Sequence, residues 1–284
     1  MGFENIVKNI DSLPPLSNAA HIIQTLYAGG LENLNISRLV KVIESDAMLA
    51  ANILKMINAP YYSFSNKIGS ISQAVTLCGS SKIYMSVIQY AMNEKLKADP
   101  SIYGFNTNQF NDLCHLQSAL MQKWYSTINI KDAKFLTPLA LIMESGKLVL
   151  ATEVINSDYV GEFRKGYNEC ENIQEYEISI INHTSYYLTA LLFEHWNLEP
   201  DYVYILKNLD SQDTDYIEED ITKKRTYEKE LNVIRTAINA KDILSDAGIE
   251  KASYIVENMG YSAEEFIIIA KELRDSYIDG TSRN

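Results

Sequence analysis

The sequence predicts an all-α protein. Three observations carry that expectation: few turn-forming residues, apolar side chains at helical spacing along most of the chain, and capping residues where those runs begin. Only 12 Gly and 6 Pro occur in 284 residues, too few for the dense turns of a β-sandwich. Hydrophobic residues at 46% and charged residues at 22% suit a globular chain able to bury a large core.

Leu13-Pro14-Pro15-Leu16 reads as a stiff lead-in, because each proline fixes its own φ and bars the preceding residue from helix. Helical spacing starts at Ser17, through Ile22, Ile23 and Leu26. Ser37 is the expected cap of a short helix bearing Leu39, Val40 and Ile43. Asp46 is the expected cap of the next, whose stripe is Leu49, Ile53, Leu54 and Ile57, ended by Pro60. Ser70 opens a helix through Ile71, Ala74, Val75 and Leu77, closed by Gly79, and another covers 81–96. Asp99-Pro100 and Gly104 mark the first boundary. Further helices are expected over 109–127, 134–155, 159–168, 173–181 and 185–196, with a short one opened by Pro200. The polar stretch 210–224 reads as a connector before helices at 228–247, 249–258 and 263–277. The chain divides accordingly into 1–98, 99–215 and 216–284.

A net charge of −12 and a pI near 4.9 argue against a nucleic-acid partner, which needs a cationic surface. Lys223-Lys224-Arg225 follows Glu218, Glu219 and Asp220, the pattern of a solvated connector. Cys78, Cys114 and Cys170 are odd in number, widely spaced and without a CxxC pair, which implies buried thiols in a reducing compartment. Residues 1–11 lack the apolar core of a signal peptide. The most apolar stretch, 136–155, carries Glu144, Lys147 and Glu153, and reads as a core helix, not a membrane span. A cytoplasmic protein is expected.

No Gly-x-Ser-x-Gly elbow, Gly-rich phosphate loop or His-Glu-x-x-His occurs. Glu218-Glu219 and Glu264-Glu265 read as solvated helix surface. Tyr61-Tyr62 and Tyr186-Tyr187, among 19 tyrosines, read as core and interface packing before an aromatic ligand shelf. His21 and His195 have no motif partner.

Two stretches together point to a family. The first runs from Leu13-Pro14-Pro15-Leu16 through Val42-Ile43-Glu44-Ser45-Asp46-Ala47-Met48-Leu49 and Ile53-Leu54-Lys55-Met56-Ile57-Asn58-Ala59-Pro60 to Ile68-Gly69-Ser70-Ile71, Ala74-Val75 and Leu77-Cys78-Gly79. The second has His115 with Ser118 and Ala119, Met143-Glu144 before Gly146-Lys147-Leu148, then Glu177, His183, Leu188, Leu191-Leu192 and Trp196. Over roughly residues 13 to 250 this resembles the HDOD family, a degenerate relative of the HD and HD-GYP metal-dependent phosphohydrolases. Departures are Ala47 where proline is usual, Ala59-Pro60 for Ser-Ala, and Asn208-Leu209-Asp210-Ser211 where paired histidines often stand.

The resemblance implies an HD-like helical bundle, an N-terminal helical part packed on the HD-like core, and a regulatory role in bacterial signalling. It also implies a cleft rimmed by His115, Met143, Glu144, Lys147 and His183. Ala240-Lys241 falls where a terminal Ala-Asp ligand is expected, so Lys241 would oppose a cation there, unless a one-residue slip brings in Asp242.

HD hydrolysis needs imidazole and carboxylate ligands converging on a divalent metal that activates water. Met143 offers only a soft thioether at the histidine position. The leading expectation is a non-catalytic signalling protein without a cofactor, a free-standing domain expected to lack a fused receiver or nucleotide-cyclase module and so to act by binding a protein partner or small ligand, with self-association left open. The rival is a residual phosphohydrolase or phosphodiesterase acting on a nucleotide through His115, Glu144 and His183.

Overall fold

A computed structural model describes residues 2–28, 34–62, 64, 66–210 and 221–281. The N-terminal part comprises α1 (Phe3–Asp11), α2 (Asn18–Ala28), α3 (Ile36–Glu44), α4 (Ala47–Ile57), α5 (Ile71–Cys78) and α6 (Ser80–Leu96). The central part adds α7 (Thr107–Ile128), α8 (Ile130–Ile142), α9 (Gly146–Ile155), α10 (Val160–Glu169), α11 (Ile173–Ile181), α12 (Ser185–His195) and α13 (Pro200–Asn208). Then come α14 (Ile221–Ala237), the two-residue strands β1 (Ile238–Asn239) and β2 (Asp242–Ile243), α15 (Asp246–Asn258) and α16 (Ala263–Thr281). Among the described residues the fold is all-α apart from that antiparallel pair.

The expected caps at Asp46 and Ser70 form: Asp46 Oδ1 accepts from the Leu49 N–H at 3.0 Å, and Ser70 Oγ from that of Gln73 at 3.1 Å. The α3 cap is Asn35, not Ser37. Its Oδ1 accepts from the Arg38 N–H at 2.9 Å, and asparagine caps as well as serine while bringing Ile36 into the helix. Gly79, at φ +83°, closes α5 and opens α6. That left-handed value suits a residue without a Cβ. Helix α1 has no counterpart among the expected helices; Ile6 and Ile10, one turn apart, are its buried anchors.

Two long helices of the sequence reading are broken. The run 134–155 is interrupted by a 3₁₀ turn at Met143–Ser145. There the Thr189 hydroxyl inserts into the helical ladder, donating to the Met143 carbonyl and accepting from the Gly146 N–H, both at 2.8 Å. A side chain entering the ladder is a recognised cause of a break. The run 228–247 breaks at Ile238, where Asn239 Oδ1 accepts from the N–H groups of Lys241 and Asp242, an Asx turn that competes with helix. The connector residues 211–220, with Glu218 and Glu219, lie outside the described residues.

Helix α7 packs along α8, α6 against α8, and α12 against α9, α13 and the 3₁₀ turn, while α16 closes over α7 and the Pro60–Tyr62 turn. One apolar cluster runs through both halves. The stretch Ile130–Ile155 is long and apolar enough to cross a membrane, but 89% of its apolar window is buried within the fold. It comprises α8, the 3₁₀ turn and α9.

Candidate functional site

Met143 and Glu144 sit in the 3₁₀ turn between α8 and α9, at the heart of the bundle. Both are fully buried. The Glu144 carboxylate is surrounded by protein donors: Gln117 Nε2 to Oε1 at 2.8 Å, the Tyr186 hydroxyl to Oε1 at 3.1 Å, and Lys147 Nζ at 3.0 Å from Oε2. Lys147, the second residue of α9, lies three residues beyond Glu144, so its side chain returns over the same face.

The Lys147 ammonium is shared by two carboxylates. It stands 3.2 Å from Glu177 Oε1, a buried acid of α11, and donates to Ser185 Oγ at 2.7 Å. The rings of Tyr103 and Tyr186 lie 5.6 and 5.1 Å away. Burial works against a charged lysine, but Glu144 and Glu177 outweigh it and hold the Lys147 pKa well above its ordinary value. Glu177 also takes the Ser185 N–H on Oε2 at 2.7 Å and the Tyr103 hydroxyl at 3.1 Å. The cluster therefore ties α9, α11 and α12 together in the core.

Glycine at 146 is required by this packing. A Cβ there would lie 1.8 Å from the Ser185 carbonyl oxygen and 2.7 Å from the Thr189 nitrogen. The Gly-Lys pair of the sequence thus has two structural roles, close helix approach and a buried cation.

The other rim residues do not converge on Glu144. His115 is on α7, but the α7 side chain that reaches Glu144 is Gln117. Residues two apart on a helix point about 160° from each other. His115 instead places Nδ1 2.7 Å from the Tyr62 hydroxyl, against the N-terminal part. Burial, aided by the nearby Lys82 charge, pushes its pKa down to about 3, so its ring is neutral.

His183 lies half-buried in the connection between α11 and α12, stacked on Tyr187 at 4.1 Å and against Phe3 of α1 at 4.2 Å. Burial lowers its pKa. Lys241, in the β1–β2 turn, donates to the Cys170 carbonyl and lies 4.9 Å over the Tyr167 ring, so it does not oppose a cation in the core. Asp242 bonds the N–H and hydroxyl of Ser245 at 2.9 and 2.6 Å, locking the start of α15. His195 caps the lead-in by meeting the Leu13 carbonyl at 2.9 Å.

These donors do not fit a divalent metal. Among the described residues no three His, Cys, Asp or Glu side chains gather in ligand range, and the carboxylate at the pair position is already engaged by an ammonium, an amide and a phenol. Sequence reasoning marks Glu177 by motif position but not its pairing with Lys147. It misses Gln117, Ser185 and Tyr186 as members of the cluster. The signal for Gln117 is helical phase, two residues from His115.

Comparison with known proteins agrees with this architecture. The HDOD domain family matches residues 13–211, more than half of the chain. The chain belongs to the HDOD family. The fold recurs in an HDOD domain protein of unknown function from Geobacter sulfurreducens (TM-score 0.64, 13% identity, 99% of this chain and 95% of that one). It recurs in a putative phosphohydrolase from Shewanella amazonensis (0.68, 16%, 97% and 95%). It also recurs in a putative signal transduction protein from Marinobacter aquaeolei (0.69, 17%, 99% of this chain and 63% of that one). At such identities the likeness is one of fold. No curated protein sequence matches this chain significantly.

Proposed function

We propose that this HDOD protein is a non-catalytic regulatory module of signal transduction, acting by binding a signalling protein or small ligand. The observation that carries the reading is the Lys147 ammonium held between Glu144 and Glu177 at 3.0 and 3.2 Å. A protein cation supplies the positive charge beside the carboxylate, and the Met143 thioether supplies no imidazole. The cluster serves to hold α9, α11 and α12 rigid, the role a scaffold needs. The Marinobacter neighbour, a putative signal transduction protein, is consistent with a regulatory part.

The rival, a residual phosphohydrolase using His115, Glu144 and His183, requires three side chains that face Tyr62, Gln117 and Tyr187 respectively. Turnover of bis(p-nitrophenyl) phosphate with manganese, iron or nickel added separates the two. The binding-module reading expects no release above the metal-only blank. Turnover that scales with protein and disappears in Glu144→Gln would establish the rival.

A further inference from the structure

A second cleft, away from the Glu144–Lys147 cluster, lies between the α5–α6 junction and α8. Its volume is about 510 Å³, within the usual size of small-molecule pockets. The sequence Gly79-Ser80-Ser81-Lys82 opens α6, a helix of 17 residues whose N-terminus has no side-chain cap among the described residues. Such a terminus presents N–H donors and the positive end of the helix dipole.

Two independent features point to an anion there. The first is charge. None of the described residues lining the cleft is Asp or Glu, while Lys82 and Lys134 both line it, in a chain of net charge −12. Lys82 is only 4% exposed, yet its partners among the described residues are neutral: Gln122 Oε1 at 2.9 Å and the Tyr62 ring at 3.8 Å. The neighbouring Cys78 thiol stays protonated, because burial raises its pKa. A buried ammonium without an anionic partner is costly. Burial lowers the Lys82 pKa only to about 8, so the charge persists at neutral pH. The second feature is Thr137, 5% exposed, which lines the same cleft and whose buried hydroxyl has no hydrogen-bond partner among the described residues.

We propose that this cleft binds the phosphate group of a phosphorylated small molecule, seated on the α6 N-terminus with Lys82, Lys134 and Thr137. The lip is apolar: Leu77 and Ile130 are 50% and 65% exposed beside the cleft, and they suit an apolar or planar ligand body. Helix N-termini with a nearby lysine bind phosphate through this combination of dipole, N–H donors and point charge.

The test is calorimetric titration of the full chain with inorganic phosphate, phenyl phosphate and, as an uncharged control, benzyl alcohol, all at matched ionic strength. Both phosphates should saturate at one site, phenyl phosphate the tighter, with no saturation by the alcohol. Lys134→Glu, at an exposed position, should weaken phenyl phosphate about tenfold or more by reversing one charge of the site. Lys82→Met should weaken it at least as much, and Lys134→Glu decides the question if Lys82→Met does not fold. Absence of saturable phosphate binding would overturn the proposal. So would alcohol binding as tightly as phenyl phosphate, or an affinity unchanged by Lys134→Glu.

Discussion

Lys147 Nζ lies 3.0 Å from Glu144 Oε2, three residues back along the same helical run, and both side chains are buried. With Glu177 at 3.2 Å on the other side, the ammonium balances carboxylates from two elements. A buried ion cluster of this kind is not a large net source of stability, but removing one member exposes the others to the full cost of burial.

Lys147→Met should therefore cost about 3–5 kcal/mol in urea unfolding at pH 7, the usual range when a buried pair is broken. A loss below about 1 kcal/mol, as for an exposed pair, would contradict the placement of this cluster in the core.

Gly146→Ala places a methyl group 1.8 Å from the Ser185 carbonyl oxygen. Backbone cannot yield cheaply, so α9 and α12 must separate. Expected destabilisation is about 3 kcal/mol or more, at the upper end for overpacking. Thermal unfolding measures it, with Gly161→Ala as a control because nothing lies within 4 Å of the space its methyl group would take.

Acid should weaken the protein through His115. Its folded pKa is near 3, below the unfolded value near 6.5, so the unfolded chain binds the extra proton between those pH values. Stability contributed by the neutral ring is complete above about 6.5 and falls by up to about 1.4 kcal/mol per pH unit down to about 3. His115→Phe should flatten that part of the pH profile. Identical slopes in wild type and variant between pH 6 and 4 would refute the burial argument.

Glu230 has the opposite sign. It is fully buried on α14, bonded to the Tyr125 hydroxyl at 2.8 Å, and burial raises its pKa to about 7. The folded state holds the proton more tightly than the unfolded chain, so this group's favourable contribution is present below about 4.5 and lost as pH rises to about 7. Glu230→Gln should consequently raise stability at pH 8 by about 1–3 kcal/mol and by little at pH 4. Chemical denaturation at the two pH values checks it.

The helical class, most helix positions and the family were legible from local signals. Asp46 and Ser70 cap where their side chains predict, and 173–181 emerges as Ile173–Ile181. What local signals could not reveal came from distant partners. The break at Met143–Ser145 depends on a hydroxyl 43 residues from Gly146. The dispersal of His115, His183 and Lys241 depends on helix phase and on Tyr62, Phe3 and Cys170, which meet them from elsewhere in the chain. Motif spacing identified candidate ligands without knowing which way each one faced. Gly146-Lys147 stands in the sequence for reasons that only the approach of α12 and the pairing with Glu177 disclose.

Metal content measured by mass spectrometry, on protein purified without chelator and dialysed against manganese, iron or nickel, probes the central claim most directly. An ammonium wedged between two acids, with no imidazole at the pair position, predicts far less than one ion per chain and no change in His183→Ala. One tightly held ion per chain, released by His183→Ala or Glu144→Gln, would contradict it.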